Sequence, residues 1–183
     1  MSFSGSVKQE LERCISPARH CQIAELSAIF SFCGEIQRTE EGQTFLCFST
    51  ENESVIRKCF TLLKKTFKID REISIDKRLI KRNNRFVIEV RGQEDTVRIL
   101  QAAKYLTADR QPMPCAALVN PLVIQKNCCR RAFLRGAFLC AGSISDPEKF
   151  YHFEIVCSTL SKAQQLQELV QSFEVDAKVV SRK

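Results

Sequence analysis

The sequence predicts an α+β fold made of two related αββαββα copies, and three observations carry that prediction. First, the chain matches itself at an offset of 108. Setting "CQIAELSAIFSFCGEI" (21–36) over "CRRAFLRGAFLCAGSI" (129–144) pairs Cys21 with Cys129, Ala24 with Ala132, Leu26 with Leu134, Phe30 with Phe138, Gly34 with Gly142 and Ile36 with Ile144, six identities in sixteen positions. Further along, Phe45 falls on Phe153 and, after a two-residue gap, Leu63, Phe67 and Asp70 fall on Leu169, Phe173 and Asp176. Second, apolar residues recur at helical spacing and then alternate, in the same order in both halves. Third, by this register Lys183 corresponds to Lys77, so the second copy lacks one strand and its closing helix. An open apolar edge is a liability that natural domains avoid, and the chain reads as the N-terminal part of a longer protein.

The elements follow in order. In the first copy a helix over Cys21 to Phe32 leads into a hairpin with strands near "EIQRT" and "QTFLCFST" and Gly42 in the turn. The segment "NESVIRKCFTLLKKTF" puts Val55, Ile56, Cys59, Phe60, Leu62, Leu63 and Phe67 on one helical face, with Asn52 or Ser54 as N-cap. A second hairpin alternates Ile73 and Ile75, then Phe86, Ile88 and Val90, across the turn "KRNNR", and a helix "EDTVRILQAAKYL" closes the copy. Thr107 to Asn127, with Pro112, Pro114 and Pro121, reads as a connection, partly structured by "CAALVNPLVI". The second copy supplies its helix, a hairpin ending in "YHFEIVCST", a helix "SKAQQLQELVQSF" and a first strand "AKVVSRK". The boundaries are therefore 1–106 for the first copy, 107–127 for the connection and 128–183 for the second copy.

With 44% hydrophobic and 27% charged residues in 183, the composition is that of an ordinary globular domain. No stretch approaches eighteen apolar residues, and the start "MSFSGSVKQELERC" is polar, so neither a membrane span nor a signal core is expected and the protein is placed in the cytoplasm. The ten cysteines include Cys33, Cys47, Cys59, Cys140 and Cys157, which sit singly in apolar runs where cysteine acts as a small hydrophobe, and they are read as reduced. The net charge of +7 is uneven. Between Arg57 and Arg85 eleven Lys or Arg face only Asp70, Glu72 and Asp76, a local excess of +8, while the rest of the chain nearly cancels. A basic stripe is the footprint of a phosphate-backbone binder, with a solvated face as its alternative.

Each copy opens with a helix carrying small residues four apart: Ala24 and Ala28 in one, Ala132 and Gly136 in the other. Lacking bulk, they let two helices approach across a pseudo-twofold axis. Two αββαββα copies joined in this way resemble the LAGLIDADG homing endonuclease fold, with "LSAIFSFCG" and "LRGAFLCAG" at the motif positions. The resemblance implies two sheets forming a saddle over duplex DNA, and an acid just before the last glycine of each motif that binds catalytic metal. Here those positions hold Cys33 and Ala141. Hard cations such as Mg²⁺ take oxygen ligands; alanine offers none and thiolate is a poor substitute, so no catalytic residues and no enzyme activity are expected. Glu35, Asp146 and Glu148 lie nearby as solvated strand-end acids.

The stretches "MSFSGSVKQEL", "HCQIAELSAIFSFCGEI", "ENESVIRKCFTLLKKTF" and "CCRRAFLRGAFLCAGSISDPEKFYHFEIV" are similar to the N-terminal part of the WhiA family of bacterial sporulation and cell-division transcriptional regulators. That resemblance covers the whole chain. It implies a degenerate LAGLIDADG domain followed by a helix-turn-helix beyond Lys183, double-stranded DNA as partner, a protein co-regulator or RNA polymerase as a further one, and a nucleoid-associated place in the cytoplasm.

The hairpin "DKRLIKRNNRF" belongs to the sheet that faces DNA in the resembled fold, so Lys77, Arg78, Lys81, Arg82 and Arg85 are the candidate phosphate contacts, with a solubilising tip as the alternative. Lys64, Lys65 and Lys68 lie on the covering helix as a solvated face, and Arg130, Arg131 and Arg135 serve interdomain contacts or helix ends. Cys14, His20, Cys21, Cys128 and Cys129 are of zinc-ligand type and converge if the two motif helices start near each other, but none shows paired C-x₂-C spacing and adjacent cysteines seldom share one tetrahedral ion. The expectation is therefore thiols, with no metal and no cofactor. Neighbours on a helix do not face each other, which also disfavours a nucleophilic pair at His20 and Cys21. Two alternatives stay open: a protein-interaction module that never touches DNA, and an active endonuclease.

Overall fold

The computed structural model describes residues 2–69, 73–113 and 117–182. Asp70, which the repeat aligns with Asp176, Arg71 and Glu72 of the basic stretch, and Pro114, Cys115 and Ala116 of the connection lie outside the described residues.

The first helix, α1 (Phe3–Arg13), is capped by the Ser2 hydroxyl, which accepts from the Gly5 N–H, and lies outside the repeat. The repeat proper begins with α2 (Arg19–Cys33) and begins again with α5 (Asn127–Ala141), two fifteen-residue helices in register at the offset of 108. In the first copy α2 is followed by strands β1 (Gly34–Arg38) and β2 (Thr44–Thr50), helix α3 (Glu53–Phe67), strands β3 (Asp76–Ile80) and β4 (Asn83–Val90) and helix α4 (Gln93–Ala102). In the second, α5 is followed by β5 (Gly142–Ile144), β6 (Phe153–Ile155) and helix α6 (Leu160–Gln171).

Four antiparallel strands form the first sheet in the order β1-β2-β4-β3, and among the described residues β5 pairs with β6 alone. Period-two alternation sorts the first sheet into two faces. Leu46 opposes Val90 and Phe48 opposes Ile88. These four, with Val55, Ile56, Cys59, Leu62 and Leu63 of α3, Ile99 and Leu100 of α4, and Leu26, Ile29 and Phe30 of α2, make the larger core. Of the two cap candidates for α3, Asn52 does the work, its Oδ1 accepting from the Ser54 and Val55 N–H groups.

A second core forms between the copies. Cys21, Ala24 and Ala28 of α2 meet Cys129, Ala132, Phe133 and Ala137 of α5, Leu166 and Leu169 of α6, and Leu118, Val119 and Val123 from the connection. The connection is thus part of the fold. Asn120 caps a 3₁₀ turn over Pro121–Ile124, and the Gln165 amide accepts from the Leu118 N–H at 2.7 Å while donating to the Val119 carbonyl at 2.7 Å, satisfying a backbone that no strand pairs.

The structure departs from the sequence reading at four points. Strand β3 begins at Asp76, with Ile73 packed on the core ahead of it and Ile75 outside the ladder. The turn after it shrinks from "KRNNR" to Lys81 and Arg82, both left-handed at φ 48° and 71°, because a two-residue turn of that hand matches strand twist and lets Asn83 and Asn84 pair with Ile80 and Leu79. Helix α4 ends at Ala102, four residues before Leu106: Lys104 is left-handed and the Tyr105 and Leu106 N–H groups turn back to the Leu100 carbonyl. Lastly, "AKVVSRK" is no strand over the described 177–182. A strand needs a neighbour for its ladder, and this segment is held instead by the Gln167 amide on the Ala177 carbonyl and by an ion pair of Arg182 with Glu154.

Candidate functional site

The twin helices α2 and α5 are the centre of the molecule. Ala24, Ala28 and Ala132 are fully buried between them, and a Cβ on Gly136 would lie 2.8 Å from the Glu25 carbonyl oxygen and 2.9 Å from the Ala28 Cβ. The small residues therefore set how closely the two copies approach. Beside them lies a group that the apolar pattern conceals. Glu25 is fully buried and receives Lys58 Nζ from α3 at 2.9 Å and both Nε and Nη2 of Arg135 from α5, at 3.3 and 3.2 Å. Lys58 also donates to the carbonyls of Leu11 and Cys14, closing the C-terminal end of α1. Burial pushes the Lys58 ammonium down from its ordinary value, against the opposing pull of Glu25. The sequence signals for this group are one acid and two bases on three largely apolar helices, which read alone say nothing of partners.

At the C-terminal ends of α2 and α5 the chain turns straight into a strand. The reason is the same twice: Cβ positions at Gly34 and Gly142 would fall 2.7 and 2.6 Å from the carbonyl oxygens of Phe30 and Phe138, so only glycine fits. Just before these glycines stand Cys33 and Ala141, at the positions where the resembled nucleases carry acids. They border a cleft of about 300 Å³ together with Ser31, Cys140, Cys157 and Lys162. Lys162 Nζ donates to the Ser31 carbonyl at 3.0 Å. A hydrogen bond with Cys140 lowers the Cys33 thiol and raises Cys140 well above its ordinary range. The cleft holds thiols and an ammonium group but no carboxylate among its lining residues.

The five hairpin cations do not share a face. Arg78 and Arg85 oppose each other across β3 and β4 on the side turned away from the helices. Both are engaged. Arg78 donates to Glu89 at 2.7 Å and to Asp76 at 2.9 Å, while Arg85 donates to Ser49 and pairs with Glu51 at 3.3 Å. Arg91, whose guanidinium lies 4.4 Å from the centre of the Phe45 ring, shares Glu89. The hydrogen bond from Arg78 holds the Glu89 carboxyl below its usual range. Lys77 opposes Phe86 on the helix-covered side, its Nζ 5.7 Å from that ring. Lys81 and Arg82 stand exposed at the turn, with no ion pair among the described residues. Lys58 leaves the basic stripe altogether for the interior, and Lys64 lies 4.8 Å over the Phe60 ring.

The N-terminal ends of the twin helices bring together four of the five zinc-type side chains named from the sequence. One ligand-type atom each from His20, Cys21, Cys128 and Cys129 lies within 4.8 Å of all the others. His20 Nδ1 is 3.2 Å from Cys129 Sγ, 3.4 Å from Cys21 Sγ and 4.0 Å from Cys128 Sγ. Cys21 and Cys129 are buried, whereas His20 and Cys128 are exposed. Burial raises Cys21 and pushes Cys129 up to about 11; a hydrogen bond with Cys21, helped by backbone N–H groups of its own turn, lowers Cys128. Cys14 is not a member of this group. Spacing along the chain does not record this proximity, because the repeat folds one adjacent pair against the other.

Comparison with known proteins agrees with this architecture. The WhiA N-terminal LAGLIDADG-like domain matches residues 19–105 and the WhiA LAGLIDADG-like domain matches residues 130–183. The "Probable cell division protein WhiA" of Lachnoclostridium phytofermentans is 45% identical over the whole chain, and that of Lachnospira eligens 40%. The chain spans 58% and 57% of their lengths. The crystal structure of full-length WhiA from Thermatoga maritima superposes with a TM-score of 0.70 at 19% identity, over all of this chain and 55% of that one. The crystal structure of the N-terminal LAGLIDADG domain of WhiA gives 0.66 at 17% identity, over all of this chain and 81% of that one. With both halves matched in order and the αββα repeat shared, the chain belongs to the WhiA family and carries its N-terminal LAGLIDADG-like region.

Proposed function

We propose that this region is the scaffold of a DNA-binding transcriptional regulator, one that has given up strand cleavage and supports DNA binding by positioning a helix-turn-helix carried elsewhere in the protein. The observation that supports it best is the cleft at the C-terminal ends of the twin helices. Cys33 and Ala141 replace the acids that a metal-dependent nuclease needs there, and Lys162 brings a positive charge to the same cleft. A hard divalent cation finds no anionic oxygen and meets repulsion instead.

The direct contribution to DNA binding is confined to the hairpin tip. The open sheet face carries Arg78, Arg85 and Arg91 against Asp76, Glu89 and Glu51, so its cations are spent on carboxylates. Lys81 and Arg82 remain for phosphates, which position a protein without reading sequence.

The test is fluorescence-anisotropy binding of the whole protein to a random duplex across a salt series, beside a variant carrying Lys81→Glu and Arg82→Glu, with each sample assayed for Mg²⁺-dependent nicking. Each lost phosphate contact lowers the log–log salt slope by about 0.9. A shallower slope for the variant, with no nicking by either, supports the proposal. Nicking restores the endonuclease reading. Equal slopes remove the tip from the DNA interface, and indifference of the whole protein to DNA makes the region a protein-docking surface.

A further inference from the structure

We propose that His20, Cys21, Cys128 and Cys129 bind one Zn²⁺ that fastens the N-terminal ends of the two LAGLIDADG-like helices to each other. The four residues come as two adjacent pairs, each in the first turn of a fifteen-residue helix, and the offset of 108 places His20 on Cys128 and Cys21 on Cys129. The site therefore sits on the pseudo-twofold axis and takes two ligands from each copy.

The geometry suits that ion. Zinc takes thiolate sulfur at about 2.3 Å and imidazole nitrogen at about 2.0–2.1 Å in a tetrahedron, which separates N from S by about 3.6 Å. The distances from His20 Nδ1 to the three sulfurs, 3.2, 3.4 and 4.0 Å, bracket that value. Three sulfurs and one imidazole select a borderline-soft cation over Mg²⁺ or Ca²⁺, and four protein ligands with no open position describe a structural centre.

The surroundings suit its charge. Binding releases one proton from each of three thiols and leaves a centre of net charge −1, and two features offset it. Like α4, neither α2 nor α5 has a side-chain N-cap among the described residues. The positive ends of both helix dipoles thus converge on the cluster. Arg19, Lys126, Arg130 and Arg131 flank it in sequence and keep the net charge of this region positive, while Arg19 lies over the Phe67 ring, Arg130 donates to the Ile124 carbonyl and Arg131 lies over the Phe173 ring. As ligands, Cys21 and Cys129 add a bonded closure to an interface that otherwise rests on apolar packing.

The experiment uses the whole protein purified reduced and without chelator. Zinc is measured per chain, and Co²⁺ is then exchanged in and followed by the visible d–d bands of tetrahedral, thiolate-bound cobalt. One equivalent of metal is expected, with those bands. The exposed ligands supply a variant that spares the core: His20→Ala with Cys128→Ala loses stoichiometric metal while keeping its circular dichroism, and Cys14→Ala keeps both metal and spectrum. Added ZnCl₂ raises the melting temperature of the metal-stripped protein and does not raise that of the double variant. The proposal is overturned if the reduced wild type binds no metal, if the double variant retains the same stoichiometry and bands, or if the intact mass of freshly prepared protein shows the cysteines joined in a disulfide.

Discussion

Arg135 grips Glu25 through both carboxylate oxygens, from one twin helix to the other, while Lys58 approaches the same carboxylate from α3. Glu25 is the shared counter-charge of two cations, and two of the three side chains have no access to water. Removing one partner of a buried pair strands the rest and costs about 3–5 kcal/mol. Glu25→Ala is therefore expected to destabilise by that amount in urea unfolding. Arg135→Met is expected to cost about a third as much, because Arg135 is partly exposed and Lys58 still faces Glu25. Equal losses for the two variants would show that the Lys58 contact contributes nothing.

Gly136 is the second determinant of the same interface. An alanine there gains about 1 kcal/mol in helix propensity. Its methyl group, however, meets the Glu25 carbonyl and the Ala28 Cβ under 3.0 Å, and neither can swing away. Overpacking of this kind costs about 1–3 kcal/mol. Gly136→Ala is expected to lower stability by about 1 kcal/mol net and Gly136→Val by more; a stabilised alanine variant would mean that the helices separate freely.

How much of this was legible in the sequence depended on whether the signal was local. Gly34 and Gly142, the alanine stripe and the Asn52 cap announce themselves by spacing, since each acts within one turn or against its own repeat mate. The Glu25, Lys58 and Arg135 group was not legible, because a lone charge on an apolar face gives no hint of which distant element answers it. The metal-type cluster lay between these cases. Spacing along the chain argued against it, yet the repeat that predicted the fold already superposed His20 and Cys21 on Cys128 and Cys129. The strand expected at "AKVVSRK" does not form over 177–182 because a strand is a property of two segments, and the sequence of one cannot supply its neighbour. The ion pairs of the sheet-face arginines were hidden for a related reason: charge counts along a chain do not record that Glu89 and Glu51 reach the same surface.

The β3–β4 turn offers a trade between stability and the proposed DNA contact. Lys81 and Arg82 both hold left-handed backbone, which costs non-glycine residues about 1–2 kcal/mol each. Arg82→Gly is expected to stabilise the protein by about 1 kcal/mol in urea unfolding and to lower the slope of log affinity against log salt by about 0.9. A stabilised variant with unchanged DNA binding would leave the arginine as a solubilising group only.

Acid should loosen the same hairpin through Glu89. Its carboxylate accepts from Arg78 and Arg91, which hold it below the ordinary value of 4.5. A carboxyl group whose folded value is depressed contributes its full stability above the unfolded value and loses it as pH falls through the folded one. The pair is partly solvated, so the contribution at neutral pH is about 1 kcal/mol. Wild type and Glu89→Gln compared by urea unfolding should differ by that amount at pH 7, and the gap should begin to close near pH 4.5 and vanish in stronger acid. A gap that stays constant with pH would place the role of Glu89 in its shape and not in its charge.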